Sequence, residues 1–381
     1  MVAPHGGKLI DRLVQQSKVI SARNEAESLH TLNISEETFL EIENIAIGTY
    51  SPLEGYLLEA EFESVLENSR LSNGLPWTIP IILDVPRSFS EAVDMGQEIA
   101  LTFNGKIVAT MDIESIYSPN KKKWVIAVFG TSDPNHPGVK SILEKHDDLL
   151  GGQVQLLERP SVPFSNYHLT PKETRVLFKA KGWRQVVGFQ TRNAPHVGHE
   201  YVQKTALTFV DGIFINPVIG KKKKGDFKDE VILDSYQALI DNYYLRERAV
   251  LVTLLTEMRY AGPKEAIHHA IMRKNYGCTH FIIGRDHAGV GNYYSPYAAQ
   301  DIFEEFPDLG IVPLFFRSFS YCNKCSSVVN EKTCPHPSED HTNFSGTKMR
   351  EILIAKKIPP ANQMRPEVSK MILQYDQPFI E

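Results

Sequence analysis

The ten residues Gln190-Thr191-Arg192-Asn193-Ala194-Pro195-His196-Val197-Gly198-His199 crowd side-chain amides, a hydroxyl, a guanidinium and two imidazoles into one short stretch. They follow an apolar run at 184–189 and lead into a helical pattern, Glu200 to Phe209. A helix start presents unpaired backbone N–H groups and the positive end of the helix dipole, so it favours anions. Two histidines spaced i, i+3 in the first turn lie on one side and reach the same anion, and Arg192 adds a planar fork suited to tetrahedral oxyanions. No nucleophile stands beside a base here, and no set of acidic metal ligands is present. The chemistry this stretch suits is the binding of phosphate-like or sulfate-like groups.

A second loop, Gly284-Arg285-Asp286-His287-Ala288-Gly289-Val290-Gly291, ends another apolar run. Its glycines allow close backbone approach to a ligand, and Arg285 and His287 offer further positive donors. Between the two loops lie Met258 to Pro263 (MRYAGP) and the lysine run of Gly220 to Asp226, which suits either phosphate contact or a solvated loop. Further on, Cys322-x2-Cys325-x8-Cys334-x6-His341 offers three thiolates and an imidazole, the complement of a closed structural zinc site. His336 is the alternative fourth ligand, disfavoured because a Cys-x-His pair leaves little chain to wrap around one ion. Cys278 reads as a core residue.

Elements must bring these loops together. Strands at 184–189, 212–218, 249–255, 280–284 and 311–316 alternate with helices at 229–243, 263–276 and 296–306. That alternation predicts an α/β fold, a Rossmann-like parallel sheet with its ligands at the carboxyl ends of the strands. The earlier part of the chain is β-rich. Ser35 caps a helix carrying Phe39, Ile42 and Ala46 on one face, and strands are expected at Thr78 to Val85, Ile99 to Phe103, Lys106 to Met111 and Trp124 to Phe129, with Asn104-Gly105 as a hairpin turn. Pro160 and Pro163 interrupt the pattern, and the capping box Thr170-Pro171-Lys172-Glu173 restarts it. The expected division is 1–165, 166–317 and a small unit at 318–381 with two short helices near 347–357 and 365–375.

Composition bounds the function. The chain has 381 residues, 41 Lys plus Arg against 46 Asp plus Glu, a net charge of −5 and 42% hydrophobic residues. That excludes disorder and coiled coil, and speaks against nucleic acid as a partner. With four cysteines there is no disulfide scaffold, and no apolar run suits a membrane span or signal peptide, so the expected location is cytoplasmic.

The QTRN…HxxH loop, MRYAGP, HAIMRKNYGCTHFIIGRDHAG (His269 to Gly289) and FSGTKMR (Phe344 to Arg350) together resemble the ATP sulfurylase (sulfate adenylyltransferase) family, in its prokaryotic zinc-containing form. Pro4-His5-Gly6-Gly7 is similar to the start of prokaryotic members. The resemblance implies an N-terminal PUA-like β-barrel, a Rossmann-like nucleotidyltransferase domain and a small C-terminal domain. It also implies the reversible reaction of ATP, with Mg²⁺, and sulfate to adenosine 5′-phosphosulfate and pyrophosphate. Gln190 and Arg192 match sulfate-binding positions, joined by the backbone N–H of Ala288. Thr191, Arg192, Asn193 and Arg285 match catalytic positions, and His196 and His199 match the histidines that hold ATP phosphates and stabilise the transition state. Gln190, Asn193, the segment Gly284, Arg285, Asp286 and His287, and the backbone of Phe319 match nucleotide contacts. Family members commonly form homo-oligomers. One departure is Ala194-Pro195, where prokaryotic relatives tend to have Pro-Pro. Competing readings are another adenylyl- or cytidylyltransferase with the HxGH signature and a non-enzymatic RNA-binding protein. A fused kinase is set aside, because no Gly-x4-Gly-Lys-Ser/Thr loop occurs. The physiological direction stays open.

Overall fold

The computed structural model describes residues 2–380. The first unit is built on β1 (His30–Asn33), β2 (Gly55–Tyr56), β3 (Leu83–Val85), β4 (Glu98–Phe103), β5 (Lys106–Asp112), β6 (Ser115–Tyr117) and β7 (Asp148–Leu156). Its order is β1-β4-β5-β7-β2, with β3 and β6 also on β7, and every pairing is antiparallel except β1 with β4. The β4–β5 hairpin turns at Asn104 and Gly105 with φ of 50° and 76°, the pair of left-handed residues whose twist matches the strands. The expected caps form: Ser35 accepts a hydrogen bond from the Thr38 N–H, and Thr170 and Glu173 close a reciprocal capping box.

Two sequence expectations fail here. Trp124 to Phe129 is not a strand but part of the helix Lys121–Phe129, capped by the Asn120 side chain and ended by left-handed Gly130. Its buried residues Trp124, Val125, Val128 and Phe129 follow helical spacing. Of Thr78 to Val85 only Leu83–Val85 is strand. The segment before it is irregular, with the Thr78 hydroxyl donating to Lys264 O at 2.5 Å.

The second unit is a parallel sheet of β8 (Val186–Thr191), β9 (Gly212–Ile219), β10 (Ala249–Leu251), β11 (Leu254–Leu255), β12 (His280–Ile283) and β13 (Val312–Phe315). Its order is β10-β9-β8-β12-β13, with β11 also on β9. The expected strand 249–255 is broken because the chain leaves β9 at Thr253, whose N–H bonds Tyr167 O at 2.8 Å. The expected helix 296–306 is reduced to Ala298–Asp301 and a 3-10 turn, Ile302–Glu305. Starting at β8, the chain builds outward through β9 and β10, then returns past β8 to lay down β12 and β13. The direction of winding reverses between β8 and β12, and ligands bind in the crevice outside the carboxyl ends at such a switch point. The histidine loop leaves β8, and the Gly284 to Gly291 loop leaves β12.

A third, antiparallel sheet of β14 (Phe319–Cys322), β15 (Ser327–Asn330) and β16 (His341–Asn343) was not anticipated. The tail helices are Gly346–Ile354 and Pro366–Ile372. The last residues return to the lysine loop: Gly225 N–H donates to Ile380 O, and Ile380 N–H to Asp226 O, each at 2.9 Å.

The first two units share one core, in which Phe62 and Trp77 join the same cluster as Phe214, Ile267 and Ile271. The helix Pro263–Tyr276 runs between them, buried without interruption from Glu265 to Tyr276. Where it meets the first unit, His268 packs its ring on Tyr50 and Trp77, while Asn275 is fully paired. Asn275 donates to Thr49 O and Ser51 O and accepts from the His5 N–H, as a buried amide must to offset its desolvation.

Candidate active site

The histidine loop is fixed by its own side chains. The Thr191 hydroxyl accepts from the Asn193 N–H at 3.2 Å and donates to Asn193 O at 3.1 Å. His196 is the N-cap of the helix Val197–Leu207, and its Nδ1 accepts from the His199 N–H at 3.2 Å. In the neutral ring the proton must then sit on Nε2, leaving that N–H free to donate. The His196 and His199 rings stack at 3.8 Å and 17°. Beyond them Phe344 lies parallel to His196 at 5.2 Å, and Phe189 meets the edge of His199. Burial pulls His199 down to about 4 and His196 well below the usual imidazole range, with the neighbouring His199 adding to the effect on His196. The stacked pair is thus neutral. The positive charge of the site comes from Arg192 and the helix dipole.

Gly198 makes the arrangement possible, since a Cβ there would lie 2.2 Å from the Phe319 ring. The start of the helix is also held from the C-terminal side. The Val197 N–H donates to Gln363 O at 3.0 Å, and Glu200 takes two bonds from Arg365, at 2.7 and 2.9 Å. Phe319 lies at this contact, 5.7 Å from Phe344 and 6.1 Å from Tyr201 between ring centres. Gln190 Oε1 and His199 Nδ1 are buried and have no protein partner. Buried polar groups are nearly always hydrogen-bonded, so two orphans on one loop mark a place built for a polar ligand.

Arg192 is oriented by MRYAGP: its Nη1 donates to the Tyr260 hydroxyl at 2.8 Å. That segment is held from the first unit. Arg259 pairs with Glu41, and His136, whose Nδ1 caps its own helix, bonds Tyr260 O through Nε2 at 3.1 Å. Tyr260 and Gly262 both have positive φ. In the Gly284 to Gly291 loop, Asp286 and Ala288 are left-handed as well, with φ of 54° and 56°. Non-glycine residues in that region cost about 1–3 kcal/mol each and persist where surroundings impose them, commonly at ligand sites. Ala288 O accepts from the Gly262 N–H at 3.0 Å, joining the two loops. Arg285 is exposed and pairs only with neighbouring Asp286, at 3.1 Å. His287 is not the positive donor expected: burial drives it well below the imidazole range, and its Nε2 lies 3.1 Å from His269 Nδ1.

The lysine run divides. Lys222 is buried, 2.9 Å from Asp229 and 3.2 Å from Val218 O, and serves the fold. Lys222 together with Lys221 and Lys223 also lines a cavity of ≈ 420 Å³ with Met258, Arg259, Tyr260, Glu41 and Lys145, which Lys224 does not reach. Gln190, Arg192 and the paired histidines do not line it, so it adjoins the histidine loop through MRYAGP.

Cys322, Cys325, Cys334 and His336 form the metal-competent group, with all four ligand atoms within 4.8 Å of one another. The geometry groups His336 with the three cysteines, in place of the expected His341. His336 Nδ1 lies 3.3–3.5 Å from all three sulfurs, whereas His341 approaches only Cys334, at 3.4 Å, and its Nδ1 is tied to the Ser320 hydroxyl. The expected objection to Cys-x-His fails because the intervening residue is Pro335: it keeps the chain out of a helical turn, and in extended chain residues i and i+2 share a side. Cys278 is fully buried, its thiol pushed up to about 12, as a core residue.

Sequence reasoning did not single out Phe344, Gln363, Arg365, Glu265 or His269. Phe344 and His269 lie in motifs quoted without a role for them, and the other three act through contacts that spacing does not reveal.

A switch-point crevice carrying a two-histidine helix start and an orphaned glutamine defines a Rossmann-like nucleotidyltransferase site. The ATP-sulfurylase family model matches residues 165–375, and the PUA-like domain model matches residues 2–159. The chain is 54% identical to the sulfate adenylyltransferase of Hyperthermus butylicus over 99% of this chain and 97% of the relative. It is 53% identical to that of Thermococcus onnurineus, over 99% of both chains. The chain belongs to the ATP-sulfurylase family. Among solved structures, the hexameric APS kinase from Thiobacillus denitrificans superposes with a TM-score of 0.77 at 22% identity, covering 99% of this chain and 69% of the other, a likeness of fold. Among the described residues no helix is long and apolar enough to cross a membrane.

Proposed function

We propose that the protein is a sulfate adenylyltransferase, converting ATP and sulfate to adenosine 5′-phosphosulfate and pyrophosphate, reversibly. The observation that carries this reading is that one loop, leaving β8 at the switch point of the sheet, bears Gln190, Arg192 oriented by Tyr260, and the stacked His196–His199 helix start. A sulfate oxygen attacks the α-phosphorus in line, a new P–O bond forms, and the bond to the β-phosphate oxygen breaks. No covalent enzyme intermediate is needed, so positioning and charge stabilisation carry the catalysis. Arg192 and Gln190 hold sulfate with the Ala288 N–H, and Arg192 keeps its aim through Tyr260. His196 and His199 donate N–H groups to the phosphates as charge develops on the departing pyrophosphate. Thr191 and Asn193 shape the loop, and Asn193, Gly284 to His287 and the Phe319 backbone receive the nucleotide. Magnesium enters as part of the ATP substrate, held by its phosphates. The only group of three or more metal-competent side chains among the described residues is the Cys3His set. We assign zinc to that group, since three thiolates and an imidazole suit its tetrahedral preference and leave no open position for catalysis.

The same reading takes 1–165 as the PUA-like unit, 166–317 as the catalytic unit and 318–381 as the zinc-bearing unit. It places the enzyme in the cytoplasm, as a homo-oligomer. The open edge of β13, with Val312 and Phe315 exposed, supports the last point. The deciding experiment is ATP–pyrophosphate exchange by the purified protein. Exchange that depends on adenylylsulfate or sulfate supports the reading; exchange that ignores sulfate and responds to another phosphorylated acceptor would overturn it.

A further inference from the structure

The Gly284 to Gly291 loop holds two left-handed non-glycine residues, Asp286 and Ala288, on either side of His287. Something must hold that geometry, and the buried side chains behind it do. His287 Nε2 lies 3.1 Å from His269 Nδ1. His269 Nε2 lies 3.4 Å from Glu265 Oε1. Glu265 is itself 1% exposed and accepts backbone N–H bonds from Arg259 and Ala261, each at 2.9 Å. One carboxylate thus grips the MRYAGP backbone directly and the Ala288 loop through two rings, while the Gly262 N–H to Ala288 O bond ties the loops together.

Hydrogen-bond accounting gives the chain a direction. Glu265 accepts two backbone N–H bonds and faces His269 Nε2 at 3.4 Å, so the relay has His269 carry its proton on Nε2. His269 Nδ1 is then the acceptor, and His287 must donate through Nε2–H.

Building on the adenylyltransferase reading above, we propose that Glu265, His269 and His287 are positioning residues for sulfate. Their relay sets the strained backbone that aims the Ala288 N–H, and holds the segment whose Tyr260 aims Arg192. The relay reaches the sulfate-facing groups and makes no hydrogen bond with the His196–His199 helix start; through His287 it borders the nucleotide-facing segment, so its loss acts more on sulfate than on ATP.

The test is steady-state kinetics on the full chain. His269→Phe keeps a ring but removes both nitrogens; the KM for sulfate is expected to rise about tenfold, the effect of stranding one buried donor, with a smaller rise in the KM for ATP through the His287 segment. His269→Asn, whose amide oxygen falls near Nδ1, is expected to restore most of the sulfate affinity. An unchanged sulfate KM in His269→Phe, or an equal rise for both substrates, overturns the proposal. If His269→Phe does not fold, the ring ¹⁵N shifts of the wild-type protein decide: both histidines must carry their proton on Nε2, and a proton on Nδ1 of His269 overturns the relay. Absence of sulfate-dependent exchange in the wild type is a separate failure, of the activity itself, and leaves the ring tautomers standing.

Discussion

At the scale of single residues, the site works with one strong charge and several neutral donors. Arg192 supplies the charge, and Tyr260 fixes it. Arg192→Ala is expected to lower turnover by roughly 10²-fold or more while the melting temperature stays within a degree or two, since one preorganised donor to a developing anion carries that much. Wild-type turnover in that variant would rule out the sulfate site drawn here. His196 has two jobs, capping the helix through Nδ1 and offering Nε2–H outward. Asn is a good N-cap, so His196→Asn keeps the first job and loses the second. Turnover is expected to fall much more than ATP affinity; the reverse pattern, in single-turnover and equilibrium binding measurements, would make His196 a simple binding group.

At the scale of elements, the contact between the helix Val197–Leu207 and β14 is the tightest constraint on the site. Adding a methyl at Gly198 would place it 2.2 Å from Phe319 and 2.9 Å from His196. Gly198→Ala is therefore expected to displace Phe319 and cost turnover with little change in the denaturation midpoint of the sheet core. Tryptic resistance and kcat measured together would show this, and full activity would mean that β14 is more yielding than its packing implies. This contact also marks the limit of what the sequence discloses. The β8 and β12 loops were legible because a strand followed by glycines and a helix start is a local pattern. Helix 121–129 was misread because three lysines hid the Asn120 cap, although its buried spacing is helical. The stack of Phe344 on His196 and the choice of His336 over His341 join residues across folded chain. No local spacing contains those facts.

At the scale of the whole molecule, two consequences can be measured. The zinc-assigned cluster is expected to yield stoichiometric zinc by elemental analysis, lost in His336→Ala and kept in His341→Ala; the opposite result would restore His341 as ligand. Acid sensitivity follows from buried imidazoles. His5, through burial and then the charge of Lys274, is lowered to about 4, as is His199 through burial. His268 and His269 are lowered well below the usual range, mainly by burial. The unfolded chain takes up these protons near pH 6.5 and the folded one refuses them, so their contribution is complete above that pH and is lost as pH falls toward 4. A melting temperature that stays level from pH 7 to 4.5 would contradict this burial.

The return of residues 378–380 to the lysine loop ties two distant parts of the chain together. Ile380 both accepts from Gly225 and donates to Asp226, and the Lys228 N–H bonds Pro378 O at 3.0 Å. Three of the backbone ties that keep Lys221 and Lys223 at their cavity therefore come from Pro378 and Ile380. A substitution at Pro378 or Ile380 is felt at a loop about 150 positions earlier in the chain, so the cavity beside MRYAGP answers to a segment that no local reading would connect with it.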